Sequence, residues 1–214
     1  MIKKQLCIAT LVLLISFPNI SFGQAKSDWL IIPGNRVGLI KPTASEAELR
    51  KLYGAENIGE ILIELGEGTT EKGTVLFPSK NEQRVEILWQ DPIKKEKPAR
   101  FQWTGQKSLW KTVEGLTLGS RLKDIEVMNG PFKLTGFAWD YAGTVTSWEN
   151  GKLSTSFAKN GRLLVRLDLA KKGKELTQKE YRSVNGDKVF SSSHPAMQKG
   201  NPGIYQMILE IEKN

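Results

Sequence analysis

Two stretches of this chain read alike at nearly one spacing, and that echo constrains the fold more than any single residue does. Val37-Gly38-Leu39-Ile40 leads through Ser45 and Leu49 to Tyr53-Gly54, while Glu114-Gly115-Leu116-Thr117 leads through Ser120 and Ile125 to Asn129-Gly130. The glycines are offset by 77 and 76 positions. Further on, Arg84-Val85-Glu86-Ile87-Leu88-Trp89 is answered by Arg162-Leu163-Leu164-Val165-Arg166-Leu167 at an offset of 78. Self-similarity at a fixed period marks a duplicated unit. The expected architecture is α+β: two tandem repeats, each a short helix followed by a three-stranded antiparallel meander, with a C-terminal strand.

The helices are legible from their ends. Ser45 is a good N-cap with Glu48 three residues later, Leu49, Leu52 and Tyr53 supply an apolar stripe, and Gly54 stops the turn. In the second copy Ser120 is the expected cap, Leu122, Ile125 and Met128 face inward, and Asn129-Gly130-Pro131 ends the helix. Helices of about ten residues do not stand alone in water, so each needs a sheet to lie on.

The strands follow from alternation and turns. In the second copy Asn150-Gly151 and Asn160-Gly161 predict hairpins, because both central residues of a type I′ turn need positive φ, and at the second the register favours a three-residue loop, Lys159-Asn160-Gly161, that pairs Phe157 with Leu163. Thr144 to Glu149, Lys152 to Ala158 and Arg162 to Leu169 would then form the meander, with Trp148, Leu153, Thr155 and Phe157 on one face. Phe137, Trp139 and Tyr141 share the opposite parity, which calls for a bulge near Ala142-Gly143. In the first copy Ile61, Ile63 and Leu65 alternate, then Val75 and Phe77, then Val85, Ile87 and Trp89. Asp91 to Arg100, with two prolines and a run of charges, reads as the connector between copies. Thr177 starts a further short helix, Asn185-Gly186-Asp187 a turn, and Tyr205, Met207, Leu209 and Ile211 a final strand. The domain division is 1–23 leader, 24–98 first repeat, 99–214 second repeat.

The N-terminus addresses the chain. Lys3 and Lys4, an apolar run of about twelve residues from Leu6 to Phe17, and Ser21-Phe22-Gly23 have the composition of a secretory leader. A membrane span needs roughly 20 predominantly apolar residues, and Pro18, Asn19, Ser21 and Gln24 interrupt this one. The expectation is cleavage after Gly23, no stable membrane insertion afterwards, and a periplasmic or secreted destination. Cleavage removes Cys7, the only cysteine, and with it disulfides, thiolate metal sites and cysteine nucleophiles. The 31 basic residues less Lys3 and Lys4, against 23 acidic ones, leave a net charge of about +6. That excess is dispersed, without the basic stripe and interleaved aromatics of a nucleic-acid binder.

Candidate chemistry is sparse. His194, the only histidine, sits in Ser191-Ser192-Ser193-His194-Pro195, but no nucleophile elbow accompanies it, and one histidine without cysteine does not make a zinc site. Glu64, Glu67 and Glu71 surround Gly66-Glu67-Gly68, and Asp140 and Glu149 flank the aromatic segment of the second copy. A carboxylate pair for sugar chemistry can be drawn from them, although their spacing is not diagnostic. The six tryptophans are the better handle, because exposed tryptophans anchor protein and carbohydrate partners. Alternation puts Trp89, Trp139 and Trp148 on core faces and leaves Trp103 and Trp110 to line a groove. The candidate binding residues are therefore Trp103, Trp110 and Asp140, with no catalytic residue, metal or cofactor assigned.

A short helix closed by glycine, followed by a three-stranded meander and repeated after some 76 residues, resembles the β-lactamase-inhibitor-protein architecture and the related small lipoprotein of the outer-membrane barrel assembly machine. The phrases Gly115-Leu116-Thr117-Leu118-Gly119-Ser120 and Gly136-Phe137-Ala138-Trp139-Asp140-Tyr141 are also similar to those of uncharacterised secreted bacterial proteins. The chain departs from the inhibitors in lacking disulfides and from the lipoprotein in lacking the lipid-bearing cysteine, so no functional residues carry over. The reading is an exported non-catalytic binding module recognising a protein or envelope partner. Two alternatives stand beside it: a proteinaceous inhibitor of a secreted hydrolase, and a carboxylate-based hydrolase of an envelope polymer.

Overall fold

A computed structural model of the chain describes residues 28–157, 162–169 and 175–211. Among them are five α-helices and twelve strands, a mixed α+β fold. The chain runs β1 (Leu30–Ile32), β2 (Arg36–Val37), α1 (Glu46–Tyr53), β3 (Ile58–Gly66), β4 (Thr69–Leu76), β5 (Val85–Asp91), β6 (Glu96–Thr104) and β7 (Lys111–Thr112). It continues through α2 (Leu122–Asn129), β8 (Lys133–Thr135), β9 (Val145–Ser147), α3 (Lys152–Ser156), β10 (Arg162–Asp168), α4 (Gln178–Arg182), β11 (Val189–Ser191), α5 (Pro195–Gly200) and β12 (Gly203–Glu210). A six-stranded antiparallel sheet, ordered β10-β12-β6-β5-β4-β3, dominates, and two three-stranded sheets, β2-β1-β7 and β11-β8-β9, flank it. The β1–β7 pair is parallel.

The two long helices begin 76 positions apart, each runs eight residues, and each is closed by a glycine, Gly54 at φ 87° and Gly130 at φ 86°. That backbone region favours glycine because a Cβ there would clash. At α1 the Ser45 hydroxyl accepts the Glu48 N–H at 3.3 Å and the Glu48 carboxylate accepts the Ser45 N–H at 2.9 Å. At α2 the cap lies one residue later than expected. Ser120 Oγ accepts the Thr117 N–H within its own turn, and Asp124 accepts the Arg121 N–H at 3.2 Å. The expected stripes hold in part: Leu49, Leu122 and Ile125 are fully buried and Tyr53 and Met128 pack partly buried against the core, but Leu52 is 40% exposed.

One face of the large sheet packs the main core. Cross-strand pairing lines up Ile87, Phe101, Leu209 and Leu163 on it, and Val85, Trp103, Met207, Val165 and the helix anchors join them in one cluster. Strands form at Ile61 to Leu65, at Val75 and at Val85 to Trp89, although Phe77 lies just past β4 at φ 57° and Leu65 is exposed. The capped helix after Thr177 and the final strand, with Met207 and Leu209 inward, form as expected.

The second copy departs from its predicted meander. Lys152–Ser156 is a helix, not a strand. Gly151 has φ −78°, so Asn150-Gly151 is no type I′ turn. The Asn129 side chain explains this: its amide donates to the Trp148 carbonyl at 3.1 Å and its oxygen accepts the Leu153 N–H at 2.9 Å, tying the segment to the end of α2. The turn expected at Asn160-Gly161 lies outside the described residues. Among the described residues, β10 pairs with β12 along its length and bridges the segment before it at Thr144–Arg166. Residues 137–143 form a loop instead of a bulged strand. Gly143 (φ 65°) sits so close to β10 that a Cβ would lie 1.8 Å from the Leu167 carbonyl oxygen. Asp91 to Arg100 is not a connector but the tight β5–β6 hairpin, in which Asp91 accepts the N–H groups of Ile93 and Lys94. Residues 98 and 99, where the sequence reading divides the chain, lie inside β6, and the sheet passes directly from β6 to β12.

Candidate binding face

The other face of the large sheet is where polar side chains lie beneath the surface. Register places Val75, Glu86, Gln102, Ile208 and Leu164 in one row across five strands. Leu88, Arg100, Glu210 and Arg162 make the next row, and Arg166, Gln206 and Thr104 flank on the other side. Ile63, Val75, Leu88 and Ile208 are buried yet stand outside the main core cluster, and the register puts all four on this second face.

The face is curled. Six strands about 4.8 Å apart would hold the outer pair, β3 and β10, roughly 24 Å apart in a flat sheet. Tyr141, on the loop fastened to β10 by Leu167 N–H donating to the Gly143 carbonyl at 2.9 Å, nevertheless donates its hydroxyl to Glu67 at the β3–β4 tip, at 3.1 Å. The Arg166 guanidinium lies 5.4 Å from the centre of the Tyr141 ring, so the bridge closes over this second face. The Tyr141 carbonyl accepts the hydroxyls of Thr135 and Thr144, at 2.9 and 2.8 Å, which fixes the loop. Trp139 meets Tyr141 edge-on at 5.4 Å. The Glu67 carboxylate, by its hydrogen bond and its charge, raises the Tyr141 hydroxyl above the usual phenol range.

Under that bridge three polar atoms are buried without a hydrogen-bond partner: Gln102 Oε1, Gln206 Oε1 and Arg166 Nε. Gln102 is 6% exposed. Buried polar groups are almost always paired, and each orphan costs about 1–3 kcal/mol. Three atoms, one each from two amides and a guanidinium, lie unpaired on one face of adjacent strands and form a cluster with unmet hydrogen-bonding capacity. The two other orphans, Trp103 Nε1 and Asn185 Oδ1, lie elsewhere. A separate concavity of about 1090 Å³ opens between Lys107, Arg121, Asp168 and Tyr205. Its backbone groups already pair across it, Gly119 with Ile204 and Ile204 with Ser120, at 2.8 and 3.0 Å.

No family model, no curated protein and no solved structure matches the chain.

The expected site residues separate. Trp103 and Trp110 do not line a groove. They are 1% and 0% exposed, because Trp103 shares the inward parity of Phe101 and the Trp110 indole N–H donates to the Gln83 carbonyl at 2.7 Å. Asp140 is exposed on the rim beside Tyr141. Trp139 sits in that loop and not on a core strand. Glu149 pairs with Lys133 at 3.2 Å, away from the bridge.

The Ser-His pairing dissolves in the geometry. His194 Nδ1 accepts the Ala196 N–H as the cap of α5, while buried Ser192 donates to Glu126 and accepts the Phe132 N–H. Among the described residues no group of three or more His, Cys, Asp or Glu is placed to hold a metal ion, and no helix is long and apolar enough to cross a membrane.

Sequence reasoning passed over Gln102 and Gln206. The signal for them is their place in Phe101-Gln102-Trp103 and Tyr205-Gln206-Met207, where a polar side chain alternates with inward-facing ones in a central strand.

Proposed function

We propose that the protein is an exported, non-catalytic binding module of the bacterial envelope and that its ligand occupies the curled second face of the large sheet. One observation carries this reading: the orphaned oxygens of Gln102 and Gln206 beside the orphaned Arg166 Nε. A fold keeps unpaired buried polar groups at a cost in stability, and a ligand that supplies their partners repays that cost on binding. The secretory composition of residues 1–23 supports the location. The equal lengths and spacing of α1 and α2, and the central pairing of β6 with β12, support descent from a duplicated unit of the kind the resemblance implies.

The test is comparative capture from an envelope extract, with the wild-type protein and the Gln206→Leu variant as baits. The expected result is one molecule retained stoichiometrically by the wild type and lost by the variant. Equal retention by both would place binding elsewhere on the molecule and overturn the assignment.

A second reading, a carboxylate hydrolase, draws on Glu67 and Asp140 sharing the rim at Tyr141. A catalytic carboxyl pair needs an acid whose pKa is raised, commonly by an apolar pocket, and both of these side chains are exposed. Loss of polymer hydrolysis in Glu67→Gln, if hydrolysis is found, would reinstate it.

A further inference from the structure

We propose that the curled face takes a neutral oligosaccharide, an inference that rests on that face being the binding site. The first argument concerns what kind of recognition the face permits. β10, β12, β6, β5 and β4 lie side by side in one sheet, so no peptide strand can add between them by main-chain pairing. Recognition on this face falls to side chains. Glu86 and Arg100 on this face are already paired, with Arg84 at 2.9 Å and Glu210 at 3.0 Å, which leaves the carboxamides of Gln102 and Gln206 and the Arg166 guanidinium, with the carboxylates of Glu67 and Asp140 at the mouth.

The second argument is hydrogen-bond balance. Gln102 Oε1 and Gln206 Oε1 call for donors and Arg166 Nε calls for an acceptor, within a patch set by directly paired residues, Arg166 opposite Gln206 and Gln102 opposite Ile208. A ligand that answers all three must offer donors and acceptors a few ångströms apart. Hydroxyl groups on neighbouring carbons do this, since each hydroxyl has one proton to give and two lone pairs to receive.

The third argument is charge. Within the Arg84–Glu86 and Arg100–Glu210 pairs the charges offset each other, and Arg162 is exposed at the outer strand. Glu67 and Asp140 at the mouth, which repel an anion, and Arg166 inside, which repels a cation, therefore favour a neutral ligand. Tyr141, 39% exposed, and Trp139 add aromatic surface at the rim, suited to the apolar face of a pyranose ring. Entry requires the Tyr141–Glu67 hydrogen bond to part. It joins two exposed groups, and such surface contacts contribute little to stability.

The purified protein is screened on an array of neutral glycans and then titrated calorimetrically with cellotriose, maltotriose and triacetylchitotriose, with trialanine in parallel. The expected result is saturable binding of a trisaccharide, weakened about threefold to tenfold in Gln102→Leu and in Gln206→Leu, as loss of one neutral hydrogen bond implies. Thermal melts confirm that both variants are folded. Saccharide binding that both variants leave unchanged would overturn the inference. Binding of trialanine alone, lost in the same variants, would overturn the saccharide and leave the binding face standing. Binding of nothing, with ordered water on both amides in a crystal, would overturn both.

Discussion

Replacing Gln102 by leucine should stabilise this protein, which is the opposite of what most buried substitutions do. Gln102 is 94% buried, its Oε1 has no partner, and its cross-strand neighbours on that face include Ile208. Leucine has nearly the same volume, adds no polar atom, and removes an unpaired acceptor whose burial costs about 1–3 kcal/mol. For a chain of this length 1 kcal/mol moves the melting temperature by about 2–4 °C, so Gln102→Leu should raise Tm by roughly 2–12 °C. Gln198→Leu is the matched control, the same change of side chain in the opposite situation. The Gln198 amide donates to Glu126 Oε2 at 2.8 Å and to the Ser192 carbonyl at 3.0 Å, so leucine there strands two acceptors and should cost about 1–3 kcal/mol. The assay is differential scanning calorimetry of the three proteins, with urea unfolding to give free energies. A Gln102→Leu protein that melts at or below the wild-type temperature would show that the amide is already satisfied. The reasoning that identifies the binding face would then fail at its first step.

Other outcomes follow from individual contacts. Gly143→Ala should lose about 3 kcal/mol or more in urea unfolding, because its Cβ would lie 1.8 Å from the Leu167 carbonyl oxygen at a φ of 65°, strain that the fold cannot relieve without moving β10. Ser45→Ala should lose about 1 kcal/mol by leaving the Glu48 N–H uncapped. Acid should destabilise the fold in a defined window. Lys199 and the Thr177 cap hold Glu180 down at about 2. At Glu46, burial pushes the carboxyl up, but hydrogen bonds from Thr74, Lys95 and Arg50 outweigh it and leave it lowered. Carboxyls depressed in the folded state contribute fully above their unfolded value near 4.5 and lose that contribution as pH falls through the folded one. Tm should therefore be flat above pH 5 and fall from about pH 4.5 toward 2, and Lys199→Met should flatten the lower part of that fall.

The parts of the fold legible in the sequence are those whose determinants are local. The Ser45 and Thr177 capping boxes each close within four residues, and the inward alternation of Ile87, Trp89, Met207 and Leu209 needs only a sheet on which to act. The second copy defeated the same logic because a distant side chain intervened. Asn129, at the end of α2, supplies the hydrogen bonds to residues 148 and 153 that a hairpin would have supplied, and Gly151 then starts a helix instead of completing a turn. Asp91 to Arg100 misled by composition. Prolines and charges normally mark a linker, yet Pro98 is paired with Trp89 across a bulge, and the run folds back at once into a central strand.

The candidate face was illegible for a different reason. A glutamine between two aromatic residues in a strand says only that it points away from them, and on an ordinary two-sided sheet that means water. Whether it means water here depends on the curl of six strands, a property of the β3–β4 hairpin reaching Tyr141 about 74 positions along the chain. Trp103 shows the converse. The tryptophan expected to line a groove is in the core, and the glutamine beside it, whose only sequence signal is its alternation with inward-facing residues, faces the candidate site. The strength of binding and the stability of the empty protein should be inversely related across substitutions at Gln102 and Gln206. Apolar side chains at either position should raise Tm and weaken affinity together, because both effects arise from the same unpaired oxygen. Gains in Tm that leave affinity unchanged would separate the two and assign the orphaned amides to folding alone.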